Sequence, residues 1–407
     1  MPKPVSSLPT LAKRTPNEAQ GISTPNAKPS PKLSRLPSYR TRWIGAELQA
    51  ARLQALIREH RLVTVLGPGG CGKTRLAVEV ARLSVISKNV VSEQTSATLS
   101  AGIFERALFV GLMGCVDATD FLQRLAPAVA AALAQKPTAA ATEERDDSQA
   151  RILLLLDNCE QLDGAATEQI ARLAEHMPQA HCLLTSRRPM GLDGEQEFMM
   201  SGLELPLADG LAGDLASGGP SDLATIAAVA LFVDRARAHR ADFDAVPANC
   251  ADMVALLRCL DGLPLAIELA ASHARTLNPA QMLALVNAAK TEDVPPDSGL
   301  KWLARRGQRS GHDCRHASMW HVIDESWRML APSAQTLLQA WCALPVGAEP
   351  PEALLYRSAD ALDELLSHSM LQTSVRDDGA LKHRVGELVR AYVSGRRAER
   401  DTDVLQI

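Results

Sequence analysis

The chain has few aromatic residues, no long apolar run and no strong excess of either charge. Phe, Trp and Tyr make up 3% of its 407 residues, although 46% of them are hydrophobic. The core must therefore consist mainly of Leu, Ala and Val, which favours helices over β-sandwiches. A formal charge of −4 gives no overall attraction to nucleic acid or to anionic membranes. We expect about two or three globular domains.

The chain also lacks the patterns of secretion and of metal binding through cysteine. No apolar run approaches the roughly 20 residues of a spanning helix, and residues 1–25 contain no apolar stretch of a secretory signal. The eight cysteines form no C-x-x-C pair, and Cys115, Cys182 and Cys259 lie in apolar segments, where a buried thiol packs as a small hydrophobe. The sequence therefore predicts a cytoplasmic protein without a disulfide framework, a zinc site or a membrane partner.

The most informative segment is GPGGCGKT at residues 67–74, which fits the phosphate-binding pattern G-x-x-x-x-G-K-[ST]. Residues 62–66 before it are apolar or β-branched and predict a buried strand. After it, Leu76, Val80 and Leu83 share one helical face. A strand, a glycine-rich loop and a helix form the context in which this pattern binds phosphate.

The residue types of this loop suit a nucleotide triphosphate. Glycines allow unusual φ angles and a close approach of the backbone, and the N-terminus of the following helix favours an anion. Lys73 would neutralise the β- and γ-phosphates, and the Thr74 hydroxyl would bind Mg²⁺. The predicted cofactors are thus ATP or ADP and Mg²⁺, with these candidate ligands of the nucleotide: Gly67, Gly69, Gly70, Cys71, Gly72, Lys73, Thr74 and Arg75.

Apolar runs alternate with helical patterns along the first half of the chain. Predicted strands at residues 106–112, 152–156 and 182–186 are separated by predicted helices near 121–134 and 165–176. Continuous apolar strands between helices indicate an α/β fold with a parallel sheet covered on both faces. Ligands of such sheets bind at the carboxyl ends of the strands.

Acidic residues follow the strand at 152–156. Asp157 would hold Mg²⁺ opposite Thr74, although a strand can also end in Asp for solvation; the phosphate loop favours the metal role. Glu160 is the nearest carboxylate that could orient an attacking water, and an equally good interpretation is a solvated residue that opens the next helix. Asn158 stands where a fast hydrolytic motor would have a second acid, which argues against such a motor.

Two arginines follow the strand at 182–186. Arg187 could contact the γ-phosphate and so distinguish ATP from ADP. The alternative is an exposed basic pair formed by Arg187 and Arg188. We favour Arg187 as the sensor and assign Arg188 to the surface.

These motifs occur in an order that resembles a known class. The chain is similar to the signal-transduction ATPases with numerous domains (the STAND class), and in particular to the NB-ARC-like ATPase core of bacterial LuxR-type and antibiotic-regulator-type transcriptional regulators. The resemblance covers residues 41–400. It rests on the loop at 62–74 and on segments 43–47 (WIGAE), 153–160 (LLLLDNCE), 184–187 (LTSR), 230–237 (ALFVDRAR), 260–270 (LDGLPLAIELA), 315–318, 325–327 and 387–392.

The resemblance implies a P-loop domain followed by an all-α helical domain and a winged-helix domain. The boundaries would be a disordered basic tail at 1–40, a nucleotide-binding domain at 41–207, a linker at 208–224, a helical domain at 225–290, a linker at 291–313, a winged helix at 314–400 and a tail at 401–407. Pro264 would pack near the adenine, although Gly-Leu-Pro before an apolar run is also an ordinary helix start. ADP would stabilise a closed resting form, and exchange for ATP would favour an open, signalling form.

The sequence departs from the family in places. Ala46 replaces a family arginine, and the segment 209–222 is longer than the pattern requires. The DNA-binding and sensor modules that usually flank this core are not recognisable in the chain. We therefore expect a truncated regulator, a stand-alone core or one part of a complex.

Three functions remain open at this stage. The first is a slow nucleotide switch in transcriptional regulation, with Mg²⁺-dependent ATP hydrolysis and a protein partner or a homo-oligomer on activation. The second is a DNA-binding regulator that uses the winged helix or the basic tail; charge does not support it, because Glu387 and Glu399 dilute the arginines near residues 384–400. The third is a productive AAA-like ATPase.

Overall fold

The computed structural model describes residues 36–85, 103–134, 151–206, 225–288, 300, 302–304, 318–345, 348–351, 355, 357–375 and 379–404. The first part of the chain alternates strands and helices. In order it contains α1 (Glu47–Glu59), β1 (Leu62–Leu66), α2 (Lys73–Ser84), β2 (Arg106–Gly111), α3 (Ala118–Ala134), β3 (Ile152–Asp157), a 3₁₀ turn (Cys159–Gln161), α4 (Gly164–His176), β4 (Ala180–Ser186) and β5 (Gln196–Met199).

The five strands form one parallel sheet in the order β2-β3-β4-β1-β5. All residues of β1 and β4 are buried, as expected for inner strands that are covered on both faces. The predicted α/β class and the predicted parallel sheet are confirmed. The short edge strand β5 was not predicted. It has only four residues, two of them polar, and so it lacks the continuous apolar run that identifies the inner strands; its residues alternate between half-buried and exposed positions.

Two apolar clusters cover the two faces of this sheet. One cluster, which we call the local cluster, packs α3 and α4 against residues such as Leu154, Leu156 and Leu184. The other, which we call the extended cluster, starts from Leu153, Leu155 and Leu183 on the opposite face. It passes through α1 and α2 and continues into the helices of the second half of the chain.

The second half of the chain is mainly helical. It contains α5 (Ala227–Arg237), α6 (Pro247–Cys259), α7 (Pro264–Ala271), α8 (Pro279–Ala288), α9 (Met319–Arg328), α10 (Pro332–Cys342), α11 (Ala359–Ser367), β6 (Leu371–Val375), β7 (Leu381–Val385) and α12 (Glu387–Val404). Strands β6 and β7 form an antiparallel hairpin. The predicted winged helix falls on α9 to α12 and this hairpin. α12 extends into the segment 401–407 that was predicted as a tail.

Several predictions concern residues that the structure does not describe. They include residues 1–35 of the tail, the linker at 208–224, most of the linker at 291–313 and the first part of the motif at 315–318. Among the described helices, none is both long and apolar enough to cross a membrane. The seven described cysteines are free, and the described residues include no cluster of three or more metal-ligating side chains.

Candidate nucleotide-binding site

The phosphate loop connects β1 to α2 at the carboxyl edge of the sheet. Gly70 has a φ of 81° and Gly72 a φ of 98°, in the left-handed region that favours glycine. Gly72 is also the residue that precedes α2, whose first residue is Lys73. The first N–H groups of α2 have no partner within the helix. The loop and this helix start therefore present N–H donors and a positive dipole end to an anion.

Lys73 lies across the loop. Its ammonium group donates to the carbonyl oxygens of Gly67 at 2.7 Å and of Pro68 at 3.1 Å. The side chain is half-buried. These are neutral acceptors, and an ammonium forms a stronger bond with an anionic oxygen. A phosphate bound in the loop would therefore replace the two carbonyl oxygens as the acceptor of the Lys73 ammonium group.

Asp157 at the end of β3 accepts two hydroxyl donors on one oxygen. Thr74 Oγ1 and Thr185 Oγ1 each lie 2.6 Å from Asp157 Oδ1. Burial raises the pKa of Asp157, and the hydrogen bonds from Thr185 and Thr74 partly offset that rise. The sequence prediction missed Thr185, because a β-branched residue inside a buried strand usually serves packing.

The Thr74–Asp157 pair fits Mg²⁺. A hydroxyl and a carboxylate in hydrogen-bond contact are hard oxygen ligands, of the kind that Mg²⁺ binds together with phosphate oxygens and water. Burial raises the pKa of Asp157 because it disfavours the charged carboxylate. A divalent cation beside this carboxylate would favour its charged form.

Arg187, the predicted sensor, lies beneath α9. Its guanidinium donates to the Val322 carbonyl at 2.9 Å and to Ser326 Oγ at 2.8 Å, and it pairs with Glu325 at 2.5 Å. On its other side, Arg187 Nε lies 3.3 Å from Glu160 Oε1. The side chain is buried, so the alternative of an exposed basic pair is wrong for Arg187.

Two further assignments change near this arginine. Glu160 is only 6% exposed and pairs with Arg187, so it is not a solvated helix opener. Arg188 is half-buried, and its guanidinium donates to the carbonyls of Glu160 and Leu162, each at 3.2 Å. Its assignment to the surface is corrected, because it satisfies main-chain acceptors of the turn after β3.

A cleft of about 400 Å³, including space open to solvent, lies beside the start of α2. Its walls come from the loop, from residues 42–46, and from the helical half of the chain. Pro264 is one of the lining residues, and its neighbour Leu265 donates its N–H to the Gly70 carbonyl at 3.1 Å. The other apolar lining residues are Trp43, Ile44, Ala46, Cys71, Leu76, Met200, Leu203 and Leu231.

Arg75 points away from the phosphate loop. Its guanidinium donates to Thr41 Oγ1 at 2.8 Å and to the Thr41 carbonyl at 2.5 Å, and it lies 4.9 Å from the centre of the Tyr39 ring. Burial, followed by the charge of Arg235, lowers the pKa of Arg75. The residue ties the segment before α1 to α2, and it lines the cleft beside Pro264.

The predicted ligands thus divide into two groups. Lys73, Thr74 and Asp157 meet at the loop, and Pro264 lies next to it. Arg187 and Glu160 form a buried pair that reaches toward α9 instead. A further residue that the sequence prediction missed is Asp261, whose carboxylate accepts the N–H groups of Glu387 at 3.1 Å and Leu388 at 3.0 Å.

Comparison with known proteins gives sequence relatives. No family model matches the chain. A "putative HTH-type transcriptional regulator" of Mycobacterium tuberculosis H37Rv is 30% identical over 350 residues, which are 84% of this chain and 34% of that protein. An uncharacterized protein of Mycobacterium bovis is 33% identical over 248 residues, which are 61% of this chain and 54% of that protein. The chain thus spans about a third to a half of the length of these curated relatives.

Solved structures with a similar arrangement include two archaeal ATPases. A Walker-type ATPase of Pyrococcus abyssi has a TM-score of 0.48 at 12% identity and covers 89% of this chain and 99% of its own. A signal-transduction ATPase with numerous domains and a tetratricopeptide-repeat sensor, from Pyrococcus horikoshii, has a TM-score of 0.33 at 16% identity and covers 88% of this chain and 43% of its own. The P-loop fold itself rests on the sheet order and the loop geometry described above. By its motif series and its phosphate loop the chain resembles the signal-transduction ATPases with numerous domains, and most of its length is similar to part of a mycobacterial protein named a putative transcriptional regulator.

Proposed function

We propose that this chain binds ATP or ADP with Mg²⁺ at the phosphate loop and acts as a slow nucleotide-dependent switch in transcriptional regulation. The observation that carries the proposal is that Arg187 contacts both Glu160, which follows β3, and the helix α9. This residue follows β4 at the carboxyl edge of the sheet, and its guanidinium is held by three groups of α9. The regulatory setting is supported by the name of the mycobacterial relative, a putative HTH-type transcriptional regulator.

Binding would use the groups that already meet at the loop. The N–H groups at the start of α2 would bind phosphate oxygens, and Lys73 would exchange the carbonyls of Gly67 and Pro68 for them. The Thr74 hydroxyl and the Asp157 carboxylate would hold Mg²⁺, which neutralises phosphate charge when bound. Thr185 would keep Asp157 oriented through its hydrogen bond.

The base would occupy the cleft beside Pro264. The cleft opens to solvent beside the start of α2, and its lining is largely apolar, as in many small-molecule sites. Trp43 and Ile44 line it from before α1, and Pro264 lines it from the helical half. The purine would thus bring together two regions that are distant in sequence.

Switching follows from competition for Arg187. In the described arrangement its donors are taken by Glu160 and by α9. A γ-phosphate within reach would compete for the same guanidinium, whereas ADP has no such group. ATP would therefore favour a form in which α9 is released, and ADP would favour the form described here, to the extent that each nucleotide binds one form more tightly.

Slow turnover follows from the same pair. Glu160 is buried and bonded to Arg187, so in this arrangement it does not act as a base toward water. Hydrolysis would require Arg187 to move first. The productive-ATPase alternative requires a free carboxylate at this position.

The test is the identity and stoichiometry of nucleotide released when purified protein is denatured. We expect near-stoichiometric ADP from the wild type and from the control Lys382→Ala, which changes a lysine of the hairpin strand β7. Lys73→Ala should release none while remaining folded by circular dichroism. An empty wild type that turns over ATP rapidly would overturn the switch and favour the productive ATPase.

A further inference from the structure

The phosphate loop contacts α9 directly at Gly69. A Cβ atom added at Gly69 would overlap with Val322 Cγ1 of α9, and it would lie 3.4 Å from Cζ of Arg187. The absent side chain of Gly69 therefore makes room for Val322 of α9, beside the guanidinium of Arg187.

Backbone conformation does not account for glycine at this position. Gly67, Gly70 and Gly72 have positive φ angles, with values of 153°, 81° and 98°. Gly69 is not among the residues with positive φ. An alanine at residue 69 would therefore be compatible with the shape of the loop, and its cost would arise at the contact with Val322.

Val322 cannot yield by rotating its side chain. It is 2% exposed and lies on a helix, where a β-branched residue has one strongly preferred rotamer. Its carbonyl is also held by Arg187 at 2.9 Å. A larger residue 69 would thus displace α9 itself.

A cleft lies beside this contact. It is lined by Pro68 and Gly69 of the loop and by Val322 and Met370 of the C-terminal half, and its space of about 470 Å³ includes open solvent. On the neighbouring residue of the loop, Leu265 of α7 packs against Gly70 and bonds to its carbonyl at 3.1 Å. The tip of the loop is therefore held at Gly69 by the C-terminal half and at Gly70 by the helical segment.

We propose that Val322 is a positioning residue of the phosphate loop and acts through its contact with Gly69. When α9 is docked, the loop keeps the shape that retains nucleotide, and when α9 undocks, the loop loses that shape. The proposal rests on the proposed switch function and states how the docked segment acts on the site. Phosphate contacts then hold the nucleotide in the loop, and α9 holds the loop itself at Gly69. Undocking of α9 loosens the loop and speeds nucleotide release.

The experiment is a double-mutant cycle on the full chain, read by the release rate of a fluorescent ADP analogue after a chase with unlabelled ADP. Gly69→Ala should speed release about tenfold or more, because overfilling a tight contact forces the partners apart. Val322→Ala should speed it less. In the double variant, Gly69→Ala should add no further increase, because the methyl group that it meets is gone.

The matched control is Gly164→Ala. Gly164 is at the start of α4, has no positive φ and has open space where a Cβ would lie. Its release rate should equal that of the wild type. Hydrogen exchange of peptides from α9 should rise in Gly69→Ala and return toward the Val322→Ala level in the double variant.

The outcomes separate this proposal from the proposed function. If Gly69→Ala releases the analogue at the wild-type rate, or if the double variant is as fast as Gly69→Ala, the contact does not control the loop. If Gly69→Ala does not fold, a folded and nucleotide-loaded double variant supports the proposal, and an unfolded one overturns it. If the wild type and Lys73→Ala fail alike to bind the analogue, the proposed function fails instead.

Discussion

The two faces of the sheet are closed in different ways. Leu154 and Leu155 are neighbours on β3, and both are fully buried. Leu154 points into the local cluster, which is completed by α3 and α4 within the same α/β region. Leu155 points into the extended cluster, which continues through α5 to α12. One face is thus covered by adjacent sequence, and the other by most of the remaining chain.

Under the proposed function, this difference would separate changes in stability from changes in switching. A substitution in the local cluster should change the free energy of unfolding of the α/β region. A substitution in the extended cluster should also change how the second half of the chain packs against the phosphate loop. Arg187, Val322 and Asp261 all lie where the second half meets the loop or the turn before α7. The predictions below test whether the two faces can be disturbed independently.

The largest expected effect is loss of the buried arginine. Arg187→Ala leaves Glu160 buried without its partner and should lower the free energy of unfolding by about 3–5 kcal/mol. It should also narrow the difference between ATP and ADP affinity. The control is Arg172→Ala, which removes an exposed pair with Glu168 and should cost about 0–1 kcal/mol. Equal urea midpoints for the two variants would contradict the assignment.

A matched pair of core truncations comes next. Leu154→Ala and Leu155→Ala should each cost about 2–5 kcal/mol, from lost burial and the cavity left behind. Hydrogen exchange distinguishes them: only Leu155→Ala should raise exchange in α5 and α7. A rise of the same size in Leu154→Ala would mean that the two clusters are coupled through the sheet.

Helix caps provide a smaller test. Asp163 caps α4 from its own N-terminus by accepting the Ala166 N–H at 2.7 Å, whereas Asp261 caps α12 from a distant turn. Each change to Ala should cost about 0.5–2 kcal/mol. Asp261→Ala should in addition raise amide exchange at Glu387 and Leu388 and speed nucleotide release. Unchanged release would show that the α12 cap is separate from the switch.

The smallest expected effect depends on pH. Loss of solvent raises the pKa of Asp261 to about 6, although the N–H groups of Leu388 and Glu387 partly offset the rise. The folded form thus prefers the neutral carboxyl: this contribution to stability is complete below the unfolded pKa and is lost as pH rises through 6. Relative to Asp261→Asn, the wild type should gain about 1 kcal/mol of stability from pH 7 to pH 5. If the difference in unfolding free energy between the two proteins, measured with urea, is the same at pH 7 and pH 5, this pKa is wrong.

The sequence predicts the centre of the α/β region well and its connections poorly. Strands β1, β3 and β4 were predicted because buried parallel strands are continuous apolar runs. The meeting of Thr74 with Asp157 was predicted because both follow strands at one edge of the sheet. The partners of Arg187 were missed, because Val322 lies 135 positions away and its pattern is that of any amphipathic helix. Asp261 was missed for the same reason, since its role as a cap arises only when α12 is brought to it.

Cys71 of the phosphate loop can be used to measure how often the loop opens. Cys71 is fully buried and lines the cleft beside Pro264. Cys259 and Cys342 are partly exposed, but burial raises the pKa of Cys342 to about 12, which slows its alkylation. Among the described cysteines, a thiol reagent should therefore alkylate Cys259 first, and the slower modification of Cys71 would follow the opening rate of the loop. In a Cys259→Ser/Cys342→Ser background, mass spectrometry of Cys71 would measure the rate at which the phosphate loop opens, without an attached probe.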